Sequence, residues 1–251
     1  MREYKQLKSK KGRDETGLFV IEGQKFVAEI PYDWDIQRII LAEGYAQGHD
    51  LIPYKNRAPV EIVRDSLFDS LADTVSPQGI MAVVKQKHWH IDQLIIPTSP
   101  GFILLGENLN DPGNIGTLIR TAAAAGAAGL ILSAGSGDMY NPKVLRASAG
   151  AVFRLPVVED ANFSEVITQL KQAGYAIYAA DLKGDSLPYS LDLRSAFCWL
   201  VGNESHGLSE EASAYADALV RLPMARDMES LNASVAGGIL LYEALRQRLA
   251  L

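Results

Sequence analysis

Polar side chains follow two apolar runs of this 251-residue chain, and their types suit a ligand that carries negative charge. Residues 107–120 read ENLNDPGNIGTLIR, in which Asn114 can cap a helix and Gly116 leaves room for another backbone. Arg120 comes one helical turn later, where its guanidinium would reach a phosphate or a ribose. A structural salt bridge is the alternative for Arg120.

The second polar loop, residues 200–209, reads LVGNESHGLS. Gly202 permits the close approach of a ligand to the main chain. Glu204 would bond a polar group of that ligand or orient Arg120. A helix cap or an exposed charge is the structural alternative for this glutamate.

A third segment, residues 222–245, joins a strand end, a polar loop and an apolar helix, and it reads LPMARDMESLNASVAGGILLYEAL. Main-chain groups from Leu222 to Met224, unpaired where the strand ends, would grip a small ligand. Ser230 can cap the helix, and Asn232 projects from its first turn. The helical period of the apolar positions predicts one buried face. These positions are Leu231, Val235, Ile239, Tyr242, Leu245 and Leu249. An ordinary strand, loop and helix is the alternative.

The remaining chain must position these segments. From residue 102 onward apolar strands, one of them expected at residues 153–157, alternate with helices, which predicts a parallel sheet with helices on both faces. A dinucleotide-binding loop, and with it a nicotinamide oxidoreductase, is disfavoured because the GxGxxG spacing is missing. Residues 1–92 predict a small mixed α/β unit with strands at 17–22, 36–41, 79–85 and, as a weaker expectation, 52–54. Residues 93–100 are predicted to be a linker, and residues 101–251 the second domain.

Composition excludes several classes of protein. The net charge of −6 argues against nonspecific coating of nucleic acid, although residues 1–13 hold six Lys or Arg against one acid. That basic stretch suits a phosphate backbone or a solvated terminus. No apolar run has the length of a membrane span, and Cys198, the single cysteine, lies in an apolar strand, so we expect a cytoplasmic protein. His88 and His90 lack further ligands at metal-binding spacing, so no metal is expected.

The three segments together resemble the three signature motifs of the SpoU/TrmH family of RNA 2′-O-ribose methyltransferases, part of the SPOUT superfamily. The first motif, NxxDPxNxGxxxRxA, is matched at Asn108, Asp111, Pro112, Asn114, Gly116, Arg120 and Ala122. The second, GxExxGLS, begins at Gly202, and the third comprises PM and the later ESLNASVAGGILLYEAL. Residues 11–29, KGRDETGLFVIEGQKFVAE, also resemble the start of the substrate-binding domain that precedes many of these enzymes. Residues 225–228 depart from the family, which commonly carries a glycine there.

The resemblance implies a SPOUT domain with a C-terminal trefoil knot that binds S-adenosylmethionine, preceded by a ribosomal-protein-like RNA-binding domain. It implies a cofactor pocket made by Gly202, Leu222, Met224 and Leu231. It places Asn114, Arg120, Glu204, Ser230 and Asn232 around the ribose. It further implies a homodimer acting on RNA, with ribosomal RNA favoured over transfer RNA. A transfer-RNA methyltransferase and a non-catalytic RNA-binding protein that keeps the fold are the alternatives.

Overall fold

The computed structural model describes residues 2–95, 101–203, 205–225 and 230–249, without the side chains of Arg2 and Glu3. The strands of these residues are β1 (Leu18–Glu22), β2 (Ile36–Ala42), β3 (Val60–Val63), β4 (Ile80–Lys85), β5 (Phe102–Gly106), β6 (Gly129–Ser133), β7 (Val157–Ala161), β8 (Ala176–Ala180), β9 (Phe197–Val201) and β10 (Ala218–Val220). Their helices are α1 (Arg2–Gln6), α2 (Lys10–Thr16), α3 (Gln24–Glu29), α4 (Glu43–Gly48), α5 (Ile52–Lys55), α6 (Asp65–Leu71), α7 (Pro112–Ala125), α8 (Pro142–Ser148), α9 (Phe163–Gln172), α10 (Glu210–Ala214) and α11 (Ala233–Leu249).

The strands form two sheets, as the alternation of elements predicts. The first has the order β1-β4-β2-β3, with β4 antiparallel to β1 and β2. The second has the order β10-β8-β9-β5-β6-β7 and is parallel throughout. The predicted α/β class is therefore confirmed. The predicted knot falls partly on residues 226–229, which lie outside the described residues, so it stays a prediction, as do the domain boundaries.

Helices cover both faces of the parallel sheet. Alternate residues of a strand point to opposite faces, so each strand contributes side chains to two cores. Phe102 and Leu104 of β5 pack in the core that contains α7, α8 and α11. Ile103 and Leu105 face the second core, which contains α9. Burial of every β5 residue is typical of a central parallel strand.

The basic N-terminal stretch contributes to the folded core, whereas the sequence suggested a phosphate-binding segment or a solvated terminus. It folds into α1 and α2, and the Arg13 side chain is buried in an ion pair with Asp138 of the loop after β6. The Arg13 guanidinium also donates to the main-chain oxygen of Leu7 (2.8 Å). Aromatic contact continues this junction, with the rings of Phe19 and Tyr140 4.5 Å apart. Arg13 is thus unavailable to a phosphate.

Two predicted strands are misplaced. Residues 52–54 belong to helix α5, because Pro53 suits the first turn of a helix and has no N–H to donate to a sheet. The third strand of the first sheet is instead β3. The strand predicted at residues 153–157 begins only at Val157, after a 3₁₀ turn over residues 151–153.

The C-terminal helix buries a different face from the one predicted. Its inward side carries Gly237 and Ala244, and a Cβ on Gly237 would come within 2.6 Å of Leu118 Cδ2 on α7. Small residues therefore let α11 lie close against α7. The predicted apolar stripe faces solvent in the single chain instead. Of its members, Leu231, Val235, Ile239, Tyr242 and Leu249 are exposed and Leu245 is half-buried.

Candidate active site

The polar loops after β5 and β9 meet at the switch point of the parallel sheet. The chain runs outward from β5 to β6 and β7, and then returns to build β8, β9 and β10 on the other side. Strands β5 and β9 are neighbours, with Gly106 opposite Val201 at their carboxyl ends. Ligands of open α/β sheets bind in the crevice at such a point.

Direct hydrogen bonds hold these two loops together. The Glu107 carboxylate accepts from the Ser209 amide (2.8 Å) and from its hydroxyl (2.6 Å). The Asn203 side-chain amide donates to the Asn108 main-chain oxygen (2.8 Å). Asn108 has a left-handed backbone, with φ 54°, and its amide donates to Ser133 Oγ (2.9 Å). The first two motif segments therefore form one structural unit.

Helix α7 begins earlier than expected, and its cap is Asp111 rather than Asn114. The Asp111 carboxylate accepts a hydrogen bond from the Asn114 amide (2.8 Å), and Pro112 occupies the first turn. Asn114 itself is buried in that turn. Gly116 lies against α8 as predicted, since a Cβ there would come 2.5 Å from Ala147 Cβ.

Arg120 lies on the outer face of α7 with its side chain exposed. Thr117, on the same face, is exposed as well. In the described part of the chain Arg120 makes no hydrogen bond or ion pair. The structural salt bridge considered for Arg120 is thus not formed among these residues, and its donors are available to a ligand.

The loop after β9 turns tightly around Gly202. A Cβ at that position would lie 2.2 Å from the carbonyl carbon of Gly207, so only glycine allows this closure. The turn is closed by paired main-chain hydrogen bonds between Asn203 and Gly207. Glu204, expected to bond a polar group of the ligand or to orient Arg120, lies outside the described residues.

The segment after β10 leaves its main chain unpaired, as predicted. Arg221 still donates from its amide to the Ser186 oxygen (3.0 Å), but no described partner binds the main-chain groups of residues 222–225. Leu222 and Met224 are half-buried. Residues 226–228, the remainder of the family departure, lie outside the described part of the chain.

Helix α11 is capped by Asn232, and Ser230 does not cap it. The Asn232 Oδ1 atom accepts from the amides of Ser234 (2.9 Å) and Val235 (3.3 Å). The helix begins only at Ala233, which leaves Ser230 two positions outside the cap. Ser230 and Leu231 are exposed. Asn232 thus has a structural role, in addition to any role toward a ribose.

Three side chains that organise the site had no role in the sequence-based prediction. They are Glu107, Asp111 and Asn203. Asp-Pro before a helix is a signal that would have identified Asp111. Nothing local identifies Glu107 or Asn203, because their partners lie 102 and 95 residues away.

Within residues 2–95, 101–203, 205–225 and 230–249, no group of three or more His, Cys, Asp or Glu side chains could hold a metal ion. The same residues contain no helix long and apolar enough to cross a membrane.

Comparison with known proteins matches the chain to two families. Residues 101–242 match the SpoU rRNA Methylase family, and residues 1–82 match the MRM3-like substrate binding domain. One relative is the 23S rRNA (guanosine(2553)-2′-O)-methyltransferase RlmP of Bacillus subtilis. It is 31% identical over 244 residues, which cover 96% of this chain and 94% of the relative.

Two solved structures show how far the similarity extends. An AdoMet-bound rRNA methyltransferase from Sinorhizobium meliloti superimposes with a TM-score of 0.87 and 31% identity, covering 99% of this chain and 95% of that one. The TrmH/SpoU tRNA modifying enzyme of A. aeolicus gives a TM-score of 0.54 and 28% identity, covering 62% of this chain and 79% of that one.

Proposed function

Because the chain belongs to the SpoU rRNA methylase family, we propose that it is an S-adenosylmethionine-dependent enzyme that methylates a ribose 2′-hydroxyl of ribosomal RNA. One observation carries the proposal beyond the family. The two polar motif loops are bonded to each other at the switch point of the sheet, which is the expected ligand crevice.

The cofactor pocket would be formed by Gly202, Leu222, Met224 and Leu231. The main-chain groups of residues 222–225 have no hydrogen-bond partner among the described residues and suit the polar edge of an adenine ring, and the leucine and methionine side chains suit its faces. Gly202 keeps the facing loop free of a side chain. When bound, S-adenosylmethionine supplies a methyl group carried on a sulfonium.

Arg120 would bind the RNA phosphate beside the target ribose and stabilise the negative charge that develops on the 2′-oxygen. Its exposure and its lack of an acidic partner among the described residues support this role. It is not the base, since a guanidinium has a pKa above about 12. Glu204 or water would accept the hydroxyl proton.

Asn114, Ser230 and Asn232 complete the proposed ribose side. Asn114 sits in the first turn of α7, and Asn232 sits at the start of α11, which packs against α7. The side-chain oxygen of Asn232, Oδ1, accepts the capping hydrogen bonds, so the side-chain NH₂ group of Asn232 would face the ribose. Holding the 2′-hydroxyl in line with the transferred carbon can lower a barrier by roughly 7–11 kcal/mol in ideal cases.

Ribosomal RNA is favoured over transfer RNA by the extent of the similarity. The rRNA methyltransferase from S. meliloti matches the whole chain, including the first sheet, whereas the tRNA enzyme matches only part of it. A ribosomal substrate is also consistent with the expected cytoplasmic location.

We also infer a homodimer. The solvent-facing stripe consists of Val235, Ile239, Tyr242 and Leu249 of α11 and of Leu231 just before it, and these apolar residues are exposed in the described part of the single chain. Gly238 of α11 lies beside Thr121 of α7, with 3.6 Å between a Cβ on Gly238 and Thr121 Cγ2. Arg120 is the neighbour of Thr121, so the dimer face would extend to the proposed ribose site. The trefoil knot is inferred from the family alone.

The test measures transfer of labelled methyl groups to protein-free 23S rRNA and to tRNA, together with the calorimetric affinity for S-adenosylmethionine. We expect methylation of the rRNA at a ribose. Arg120→Lys should lower kcat/KM strongly while the affinity for S-adenosylmethionine is unchanged. Arg194→Lys, at an exposed arginine bonded to Asp192, is the matched control.

Three results would contradict parts of the proposal. Labelling of tRNA alone would reverse the substrate assignment. Near-normal activity of Arg120→Lys would remove the bidentate role of the guanidinium. Absence of S-adenosylmethionine binding would leave the non-catalytic RNA-binding protein as the better reading.

A further inference from the structure

A cavity of about 480 Å³ lies where the first sheet meets the parallel sheet. One wall comes from α2 and from the segment after β4, and the other from β7 and the loop after β6. Its lining includes Lys10, Trp89, His90, Tyr140, Glu159 and Asp160. The cavity is separate from the switch point, because β7 is the edge strand beyond β6.

The Glu159 carboxyl group is the main hydrogen-bond acceptor in the wall of this cavity. One carboxylate oxygen accepts from the Met139 amide (2.8 Å), and the other has no hydrogen-bond partner among the described residues. Burial raises the pKa of Glu159 to about 7, and the negative charges of Asp138 and Asp160 add to the effect. The carboxyl group is therefore half-buried with unused acceptor capacity.

An irregularity of β7 presents this carboxyl group. The register between β6 and β7 shifts after Ile131, and Asp160 has a left-handed backbone with φ 50°. Bulges of this kind re-aim side chains beside functional sites. Asp138, the other nearby acid, is already paired with Arg13. Glu159 and Asp160 thus remain as the acceptors.

The surroundings suit a nucleobase. Trp89 and His90 provide aromatic rings for stacking, and Lys10 is exposed and makes no ion pair in the described part of the chain, so it can meet a phosphate. Volumes of about 300–1,000 Å³ are typical of ligand pockets.

Among the bases, guanine matches a carboxylate best. Its Watson–Crick edge carries two adjacent donors, whereas adenine and cytosine place a ring acceptor beside their amino group. Uracil offers one donor between two acceptors. We propose that the cavity binds an unstacked guanine of the substrate RNA, at a nucleotide other than the one methylated. This inference rests on the proposed function for the nature of the substrate.

The test is run at pH 8, above the pKa of about 7 for Glu159, so that the carboxyl group is ionised. It uses four pentanucleotides, UUGUU, UUAUU, UUCUU and UUUUU, and follows tryptophan fluorescence. Trp34 and Trp199 are buried, so Trp89 is the residue whose signal the cavity should control. We expect UUGUU to bind most tightly and the change in signal to disappear in Trp89→Phe. Glu159→Gln should weaken UUGUU binding about tenfold, which is about 1.4 kcal/mol.

Glu61→Gln, at an exposed glutamate of β3, is the matched control and should bind as the unaltered protein does. Equal affinities for the four oligonucleotides, no response to any of them, or equal binding by Glu159→Gln and Glu61→Gln would overturn the proposal. Calorimetry with S-adenosylmethionine separates the two hypotheses. If the unaltered protein binds S-adenosylmethionine but shows no preference for guanine, only the guanine site is refuted. If the unaltered protein does not bind S-adenosylmethionine, the proposed methyltransferase function is contradicted.

Discussion

Val235→Glu tests whether the outward stripe of α11 is a dimer interface. Val235 is 49% exposed in the single chain, so a partner could bury about half of the residue. Complete burial of a valine is worth at least about 1.5 kcal/mol, which gives about 0.7 kcal/mol for that half. A two-fold interface contains the residue twice, so its loss costs about 1.5 kcal/mol, or about tenfold in the dimer Kd. The added carboxylates make this a lower limit.

Val75→Glu is the matched control, because Val75 is fully exposed on the loop before β4. Light scattering after size exclusion, across a dilution series, should show a dimer for the unaltered protein and for Val75→Glu. Val235→Glu should dissociate at higher protein concentration than either. If all three proteins have the same mass at every dilution, the stripe on α11 is not the interface.

Three further predictions concern stability. The folded state holds the Glu159 proton up to about pH 7, whereas the unfolded chain releases it near pH 4.5. The free energy of unfolding should therefore fall by at most about 3 kcal/mol as pH rises from 4.5 to 7. Thermal melts of Glu159→Gln should lack this fall. Gly116→Ala should lower the free energy of unfolding, measured by denaturant titration, by about 1–3 kcal/mol, because the new Cβ would press on Ala147. Adding Ala147→Gly should restore part of the lost stability. Additive losses in the double variant would contradict this contact. Arg13→Met should lower the free energy of unfolding by about 3–5 kcal/mol, because it leaves the Asp138 charge buried and unpaired. Adding Asp138→Asn should recover most of the loss. An Arg13→Met protein with unchanged stability would show that the ion pair is unimportant.

The parallel sheet was predictable because its signal is repeated. Its strands are short apolar runs, and three of them, β5, β7 and β10, are followed by helices long enough to show a period, namely α7, α9 and α11. The short helices α1, α2, α4 and α5 offered no such signal. A helix of four to seven residues has at most two turns, so its apolar spacing cannot be told from a loop.

The outward stripe of α11 shows a second limit of sequence patterns. Periodicity predicted the helix correctly, but it could not say which face meets the same chain. Gly237 and Ala244 carry little hydrophobic signal, yet they are the residues that let α11 approach α7. Asp111 and Asn114 are both good capping residues, and the hydrogen bond from the Asn114 amide to the Asp111 carboxylate shows that Asp111 is the cap.

The site divides its tasks between the main chain and the side chains. Main-chain groups after β10 are left without partners in the described residues, which is costly unless a ligand or water satisfies them. Arg120, on the outer face of α7, is likewise without an acid there. A neutral adenine edge suits the first group and a phosphate suits the second. If residues 222–225 bind the cofactor and Arg120 binds the RNA phosphate, as proposed, the packing of α11 on α7 would help to set the distance between the two ligands. A change at Gly237 would therefore be expected to impair transfer more than binding of either ligand alone.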